Sequence, residues 1–181
     1  MIRVLHIMGC SDVGGLSTVV LNYYRFMDRT QIQFDIALTV PTIGRNALAL
    51  QELAVQMALK ELVEKEHYDA VHVHESETCY VALQMAKKLG VPCRIAHSHT
   101  SSPWEGIKGE IRRLSGIVLN YHFATHVIGC GKLVGERVFG KWNMTRPKAR
   151  VLPNAIDTRL FAYNETIRKE VRAELGLAGK L

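Results

Sequence analysis

Apolar residues along this chain fall into short unbroken runs, separated by longer stretches in which they recur every three or four positions. The runs, among them Val4-Leu5-His6-Ile7-Met8, Phe34 to Val40 and Ala70-Val71-His72-Val73, predict six strands, near 3–8, 34–40, 70–75, 93–98, 126–129 and 150–153. Between them, Leu16, Val19, Val20, Tyr23 and Met27 keep helical spacing. So do Leu50, Leu53, Met57, Leu59, Leu62 and Val63, and then Val81, Met85 and Leu89. Strands that lack polar alternation and are separated by helices make βαβ units. The fold class expected is therefore α/β, a doubly wound, Rossmann-like parallel sheet covered on both faces. Gly90-Val91-Pro92 stops one helix, and the polar stretch Ser98 to Trp104 predicts a loop above the sheet.

Composition narrows the class. With 181 residues, 48% of them hydrophobic, the chain can bury a substantial core. No run approaches the roughly 18 apolar residues of a membrane span, and the N-terminus lacks the basic, apolar, small-residue order of a signal peptide, so a cytoplasmic location is expected. Cys10, Cys79, Cys93 and Cys130 have no Cys-x-x-Cys spacing and read as reduced thiols rather than a zinc ribbon or disulfide framework. The net charge of +6 favours an anionic partner such as a nucleotide, a nucleic acid or the anionic face of a bilayer. Basic residues gather at Lys108, Arg112 and Arg113, and again at Lys141, Arg146, Lys148 and Arg150. RNA-binding signatures with interleaved aromatics are absent, so no nucleic-acid partner is expected.

Two constellations carry candidate chemistry. The first is the turn after the first strand, Gly9 through Gly14-Gly15 to Ser17-Thr18. Gly14 and Gly15 permit close backbone approach and Ser17 or Thr18 can cap or donate, so the turn either cradles a phosphate at a helix N-terminus or simply joins strand to helix. The second is a pair of His-x-His motifs, His72 and His74, and His97 and His99. Period-two alternation puts each pair on one face, near the strand ends where open α/β sheets bind ligands. Three readings stay open: contacts to sugar hydroxyls and phosphates, core histidines bonded to carbonyls, or a metal site, which usually needs a nearby Asp where only Glu75 is adjacent. Glu75 and Glu77 are placed on the following loop, where they either accept from an acceptor hydroxyl or stand as solvated carboxylates. A Walker motif, a nucleophile elbow and a complete Gly-x-Gly-x-x-Gly are missing, and no acidic residue ends the second strand, which demotes an NAD enzyme.

The chain resembles the retaining glycosyltransferases of family 4, which have the two-domain GT-B fold. The resemblance runs collinearly through Arg3 to Ile7, Gly14-Gly15, Leu21 to Arg25, Phe34-Asp35, Tyr68 to His74, Ala96 to Thr100, Cys130-Gly131-Lys132, Phe139-Gly140 and Val151 to Phe161. It implies an N-terminal, acceptor-side domain over 1–160, and a linker or start of a donor-binding domain over 161–181. It further implies transfer of a sugar from a nucleotide diphosphate sugar, a UDP-sugar, to a hydroxyl of a glycan or lipid-linked acceptor in surface polysaccharide synthesis. His99 would contact the donor beside the anomeric carbon, as the catalytic residue. Gly14 and Gly15 would lie against the diphosphate, while His74, Glu75, His97 and Thr100 complete the substrate-binding set and Asn154 and Asp157 match the hinge. No metal or other cofactor is implied, and peripheral contact with the anionic inner face of the membrane is. The stretch from Thr39 to Leu53 is shorter than in similar proteins, and the chain alone is expected to be inactive. The rival readings are a GT-B epimerase or hydrolase, and a non-catalytic module for anionic lipid or nucleic acid.

Overall fold

The computed structural model describes residues 1–9, 15–39, 47–75, 78–100 and 106–177. Six strands form one all-parallel sheet: β1 (Ile2–Gly9), β2 (Ile32–Thr39), β3 (Ala70–Val73), β4 (Cys93–Ser98), β5 (His126–Gly129) and β6 (Ala149–Val151), in the order β2-β1-β3-β4-β5-β6. Six helices accompany them: α1 (Gly15–Phe26), α2 (Ala47–Lys65), α3 (Cys79–Lys88), α4 (Gly106–Phe123), α5 (Lys132–Phe139) and α6 (Glu165–Glu174). The chain steps from β1 outward to β2, then reverses to β3 and continues one way. With right-handed crossovers, that reversal puts α1 on one face of the sheet and α2 to α5 on the other.

The two faces differ in content. Leu5 and Ile7 of β1, Val71 and Val73 of β3, Ala96 of β4 and Val127 of β5 join Leu83, Ala86 and Phe139 in one apolar cluster beneath the helix-rich face. The alternate residues, His6, His72 and His97, point the other way, toward α1. Because α1 is the single crossover helix on that face, part of the cover comes from the segment after β6. Asn22 Nδ2 donates to the Ala155 carbonyl (3.1 Å) and Tyr23 donates its hydroxyl to that of Pro153 (3.4 Å).

Several sequence landmarks turn out to be structural. Asp69 accepts from the Arg3 backbone N–H (2.8 Å), and Asp35 pairs with the Arg3 guanidinium (2.8 Å), at the edge of the sheet away from the strand ends. Lys148 donates to the carbonyls of Tyr121 and Ala124, and Arg94 to that of Phe123 (3.0 Å), so these cations close the C-terminal end of α4. Gly90 adopts φ 79° just after α3, as the expected stop requires. Gly129 allows β5 to touch α5: a Cβ there would sit 2.7 Å from the backbone of Gly135. Cys79, Cys93 and Cys130 are free thiols.

Two helix faces are exposed among the described residues. Ile107, Ile111, Leu114 and Val118 form a stripe along α4, each at least 55% exposed. Helix α6 has no buried residue and is held at its start by Asn164, which accepts from the backbone of Thr166 and Ile167. Among the described residues, no helix is long and apolar enough to cross a membrane.

Candidate active site

Three neighbouring strands deliver five histidines to one layer at the C-terminal edge of the sheet. His6 lies opposite His72 in the β1–β3 register. β3 ends at Val73, two residues before the expected boundary, and His74 follows in irregular backbone. It is still anchored, by a bond from its own N–H to the Ile7 carbonyl (2.8 Å). β4 contributes His97, with His99 one residue past the strand's end. The rings of each pair lie against one another, stacked for His72–His74 with centroids 4.1 Å apart and tilted for His97–His99 at 4.0 Å. Both expectations of a shared face are borne out.

Hydrogen bonding orders these rings. His99 Nδ1 lies 2.8 Å from Asn154 Oδ1, which only accepts, so His99 carries its proton there. A neutral His99 must then accept at Nε2, and His74 Nδ1 (2.9 Å) donates to it. By the same reasoning His6 donates from Nδ1 to His74 Nε2 (2.8 Å), and its own Nε2 is left as a lone pair. One oxygen after β6 thus assigns the tautomers of three rings on three strands. His72 and His97 form a separate pair (3.1 Å). The Nε2 atoms of His6 and His97 are buried without a hydrogen-bond partner among the described residues.

The layer is neutral at physiological pH. Burial lowers His6 to about 4 and His97 to about 3. His72 and His74 are pushed down by burial and then by the neighbouring imidazoles. His99 is lowered less, since the Asn154 oxygen favours its protonated form. It is half-buried, and Cys130, beyond β5, reaches its main chain by donating Sγ–H to the His99 carbonyl (3.4 Å).

The other candidates distribute around this wall. Glu75 is half-buried beside Gly9 at the end of β1. Thr39 donates to its Oε1 (3.2 Å), and burial raises its carboxyl above the usual range. Thr100 is exposed, and its carbonyl accepts from Ser98 (2.8 Å). His97 has no exposed surface and His74 is 5% exposed. Gly15 opens α1, while Gly14, Glu77, Cys10 and the stretch Val40 to Asn46 lie outside the described residues. The loop predicted over Ser98 to Trp104 is described only as far as Thr100. A cavity of about 340 Å³, lined by Met8, Gly9, Ser17, Val20, Leu21, Ile36 and Leu38, opens between α1 and the ends of β1 and β2.

Sequence reasoning did not single out His6, which looks like part of an apolar run. Its signal was strand register, since pairing β1 with β3 puts His6 against His72. Asn154 matches the family's hinge motif, and its place as partner of His99 is visible only once β6 is set beside β5.

Known proteins place this geometry in context. The chain is 34% identical to the protein EpsF of Bacillus subtilis (strain 168), which carries a glycosyltransferase name, over 97% of this chain and 51% of that protein. It is 24% identical to the Escherichia coli UDP-Gal:alpha-D-GlcNAc-diphosphoundecaprenol alpha-1,3-galactosyltransferase, over 89% of this chain and 46% of the relative. It therefore spans about half the length of these curated relatives. In fold it is similar to the lipopolysaccharide outer core galactosyltransferase WaaB, with a TM-score of 0.60 at 12% identity, covering 86% of this chain and 46% of that one. It is also similar to the UDP-GlcNAc 2-epimerase of Neisseria meningitidis bound to UDP-GlcNAc, with a TM-score of 0.59 at 18% identity, covering 94% and 52%. The model of Glycosyltransferase Family 4 matches residues 13–160, and the chain belongs to that family.

Proposed function

We propose that this chain forms the acceptor-side wall of a retaining glycosyltransferase that moves a sugar from a UDP-sugar to a hydroxyl of a lipid-linked or glycan acceptor. The observation that carries the reading is His99: half-buried at the C-terminal sheet edge, with its Nδ1–H on an oxygen 2.8 Å away. Asn154 Oδ1 stands where a sugar hydroxyl would sit, and the donor replaces it on His99 Nδ1. The His74 bond behind the ring keeps that proton aimed outward, so the group is oriented before substrate arrives. The E. coli relative, named for a UDP-Gal donor and a diphosphoundecaprenol acceptor, supports the substrate class, as does UDP-GlcNAc in the epimerase of the same fold.

The first amides of α1, which begins at Gly15, meet the diphosphate, so the leaving group is stabilised by backbone donors and the reaction needs no divalent cation. Glu75, neutral more readily than an ordinary carboxyl, receives the acceptor hydroxyl. The apolar stripe of α4, with Lys108 at its head, rests on the anionic inner face of the membrane where a lipid-linked acceptor resides.

The test is transfer by the intact protein from UDP-sugars to a lipid-diphosphate acceptor, with the anomeric configuration of the product read by NMR. His99→Ala lowers transfer by about a hundredfold while the protein stays folded. Near-normal turnover by the folded variant removes His99 from the site. Release or isomerisation of the sugar with no acceptor present replaces the transferase reading with an epimerase or hydrolase.

A further inference from the structure

The histidine layer holds more ligand capacity than one sugar contact uses. His74, His97 and His99 each offer a ring nitrogen, and these three nitrogens lie within 4.8 Å of one another. An imidazole ligates a metal only through an unprotonated nitrogen, and each of these rings has one such atom to offer. His97 has no exposed surface, yet its Nε2 has no partner among the described residues, a costly arrangement for a polar atom that serves no ligand. A second group, His6, His72 and His74, has the same spacing, but its members are 1%, 9% and 5% exposed and offer no route for a hydrated ion. The outer group includes His99, which is half-buried and so gives the site an exposed side.

The geometry points to a transition-metal site: His74, His97 and His99 bind one divalent cation of the zinc, cobalt, nickel or copper class, with water from the cleft completing its coordination. Three nitrogens and no oxygen select these ions over magnesium and calcium, which require oxygen ligands. The nearest pair, His74 Nδ1 and His99 Nε2, is 2.9 Å apart. Around a tetrahedral zinc with bonds of about 2.0 Å they would separate to about 3.3 Å, a shift of a few tenths of an ångström.

The relay behind the site accommodates the ion without losing a proton. His99 keeps its Nδ1–H on Asn154 and presents Nε2. His74 changes tautomer, freeing Nδ1 for the metal and placing its proton on Nε2. That proton now faces His6 Nδ1, which becomes the acceptor, and His6 carries its own proton on Nε2, the atom left without a partner. Each ring holds one proton before and after.

Titration of the metal-stripped intact protein with ZnCl₂ alone, followed by calorimetry, tests the site. One zinc per chain at micromolar or tighter Kd is expected, with a binding heat independent of buffer ionisation at neutral pH, and millimolar MgCl₂ does not compete. His97→Gln and His99→Gln each weaken binding by more than about tenfold. His126→Ala, which removes an exposed histidine 3.9 Å from the Cys93 thiol, leaves it unchanged. Binding only at millimolar zinc, binding that survives both glutamine variants, or loss in His126→Ala overturns the proposal. Should a glutamine variant fail to fold, the visible spectrum of the cobalt-loaded wild type decides: ligand-field bands without thiolate charge transfer support three imidazoles, and thiolate bands or none refute them.

Discussion

Acidification bears hardest on the histidine layer. Burial pulls His6 from 6.5 to about 4 and His97 to about 3, and moves His72 and His74 in the same direction. As pH falls below 6.5 the unfolded chain takes up protons at these rings, while the native chain does not until each lowered value is reached. The stability is therefore complete above pH 6.5 and is lost progressively down to about 4 for His6 and about 3 for His97. At pH 5.0 the linkage relation gives a deficit of about 2 kcal/mol each for His6 and His97, about 4 kcal/mol together, with His72 and His74 acting in the same direction. That is a large share of the whole stability of an ordinary domain, about 5–15 kcal/mol. Urea unfolding of the intact protein, followed by circular dichroism with EDTA present, should show midpoints falling steeply between pH 6.5 and 5, with uptake of about three to four protons on unfolding. His6→Phe, whose ring would meet Phe34 where the imidazole now does (4.1 Å), costs about 1–3 kcal/mol at neutral pH because His74 loses its donor. It should also make the acid slope shallower by about one proton. An unchanged midpoint between pH 7.5 and 5.5, or uptake of fewer than about two protons, refutes the reasoning.

Further outcomes follow from packing and surface. Replacing Ile111 on the exposed α4 stripe with Asp should abolish co-sedimentation with anionic vesicles, and wild-type binding should weaken with salt; binding that ignores both counts against a membrane face. Gly129→Ala should lose about 1–3 kcal/mol in urea titration, because its Cβ meets the Gly135 backbone at 2.7 Å. Gly135→Ala should lose less, since the atom it meets is the movable end of Met144, and a reversed order would disprove the close approach. Asn22→Ala should cost about 1 kcal/mol and speed hydrogen exchange around Ala155, and unchanged exchange would show that the Asn22 bond does not hold the segment.

Periodicity was enough for the sheet because the central strands β1, β3 and β4 bury consecutive residues on both faces, and the edge strands, though more exposed, are still short apolar runs. Boundaries slipped where polar residues belong to a strand's layer without belonging to the strand. His74 continues the alternation of β3 but lies beyond Val73, and β6 begins at Ala149 rather than Arg150. The two His-x-His pairs were legible because alternation is local. The five-membered layer was not, since it depends on β1 lying between β2 and β3, a long-range pairing that no window along the chain contains. Lys148 reads along the sequence as one of a basic group before the last strand, and only the end of α4, folded beside it and Arg94, reveals both as carbonyl partners. The relay to Asn154 spans 55 positions between partners and has no local signature.

The bonds from Asn22 and Tyr23 to Ala155 and Pro153 have a mechanical consequence. They rivet the strip leaving β6 to α1, so Asn154 travels with the sheet as part of one rigid plate. Asn154 lies between the two tied carbonyls, so the oxygen that orients His99 is held to α1 on both flanks.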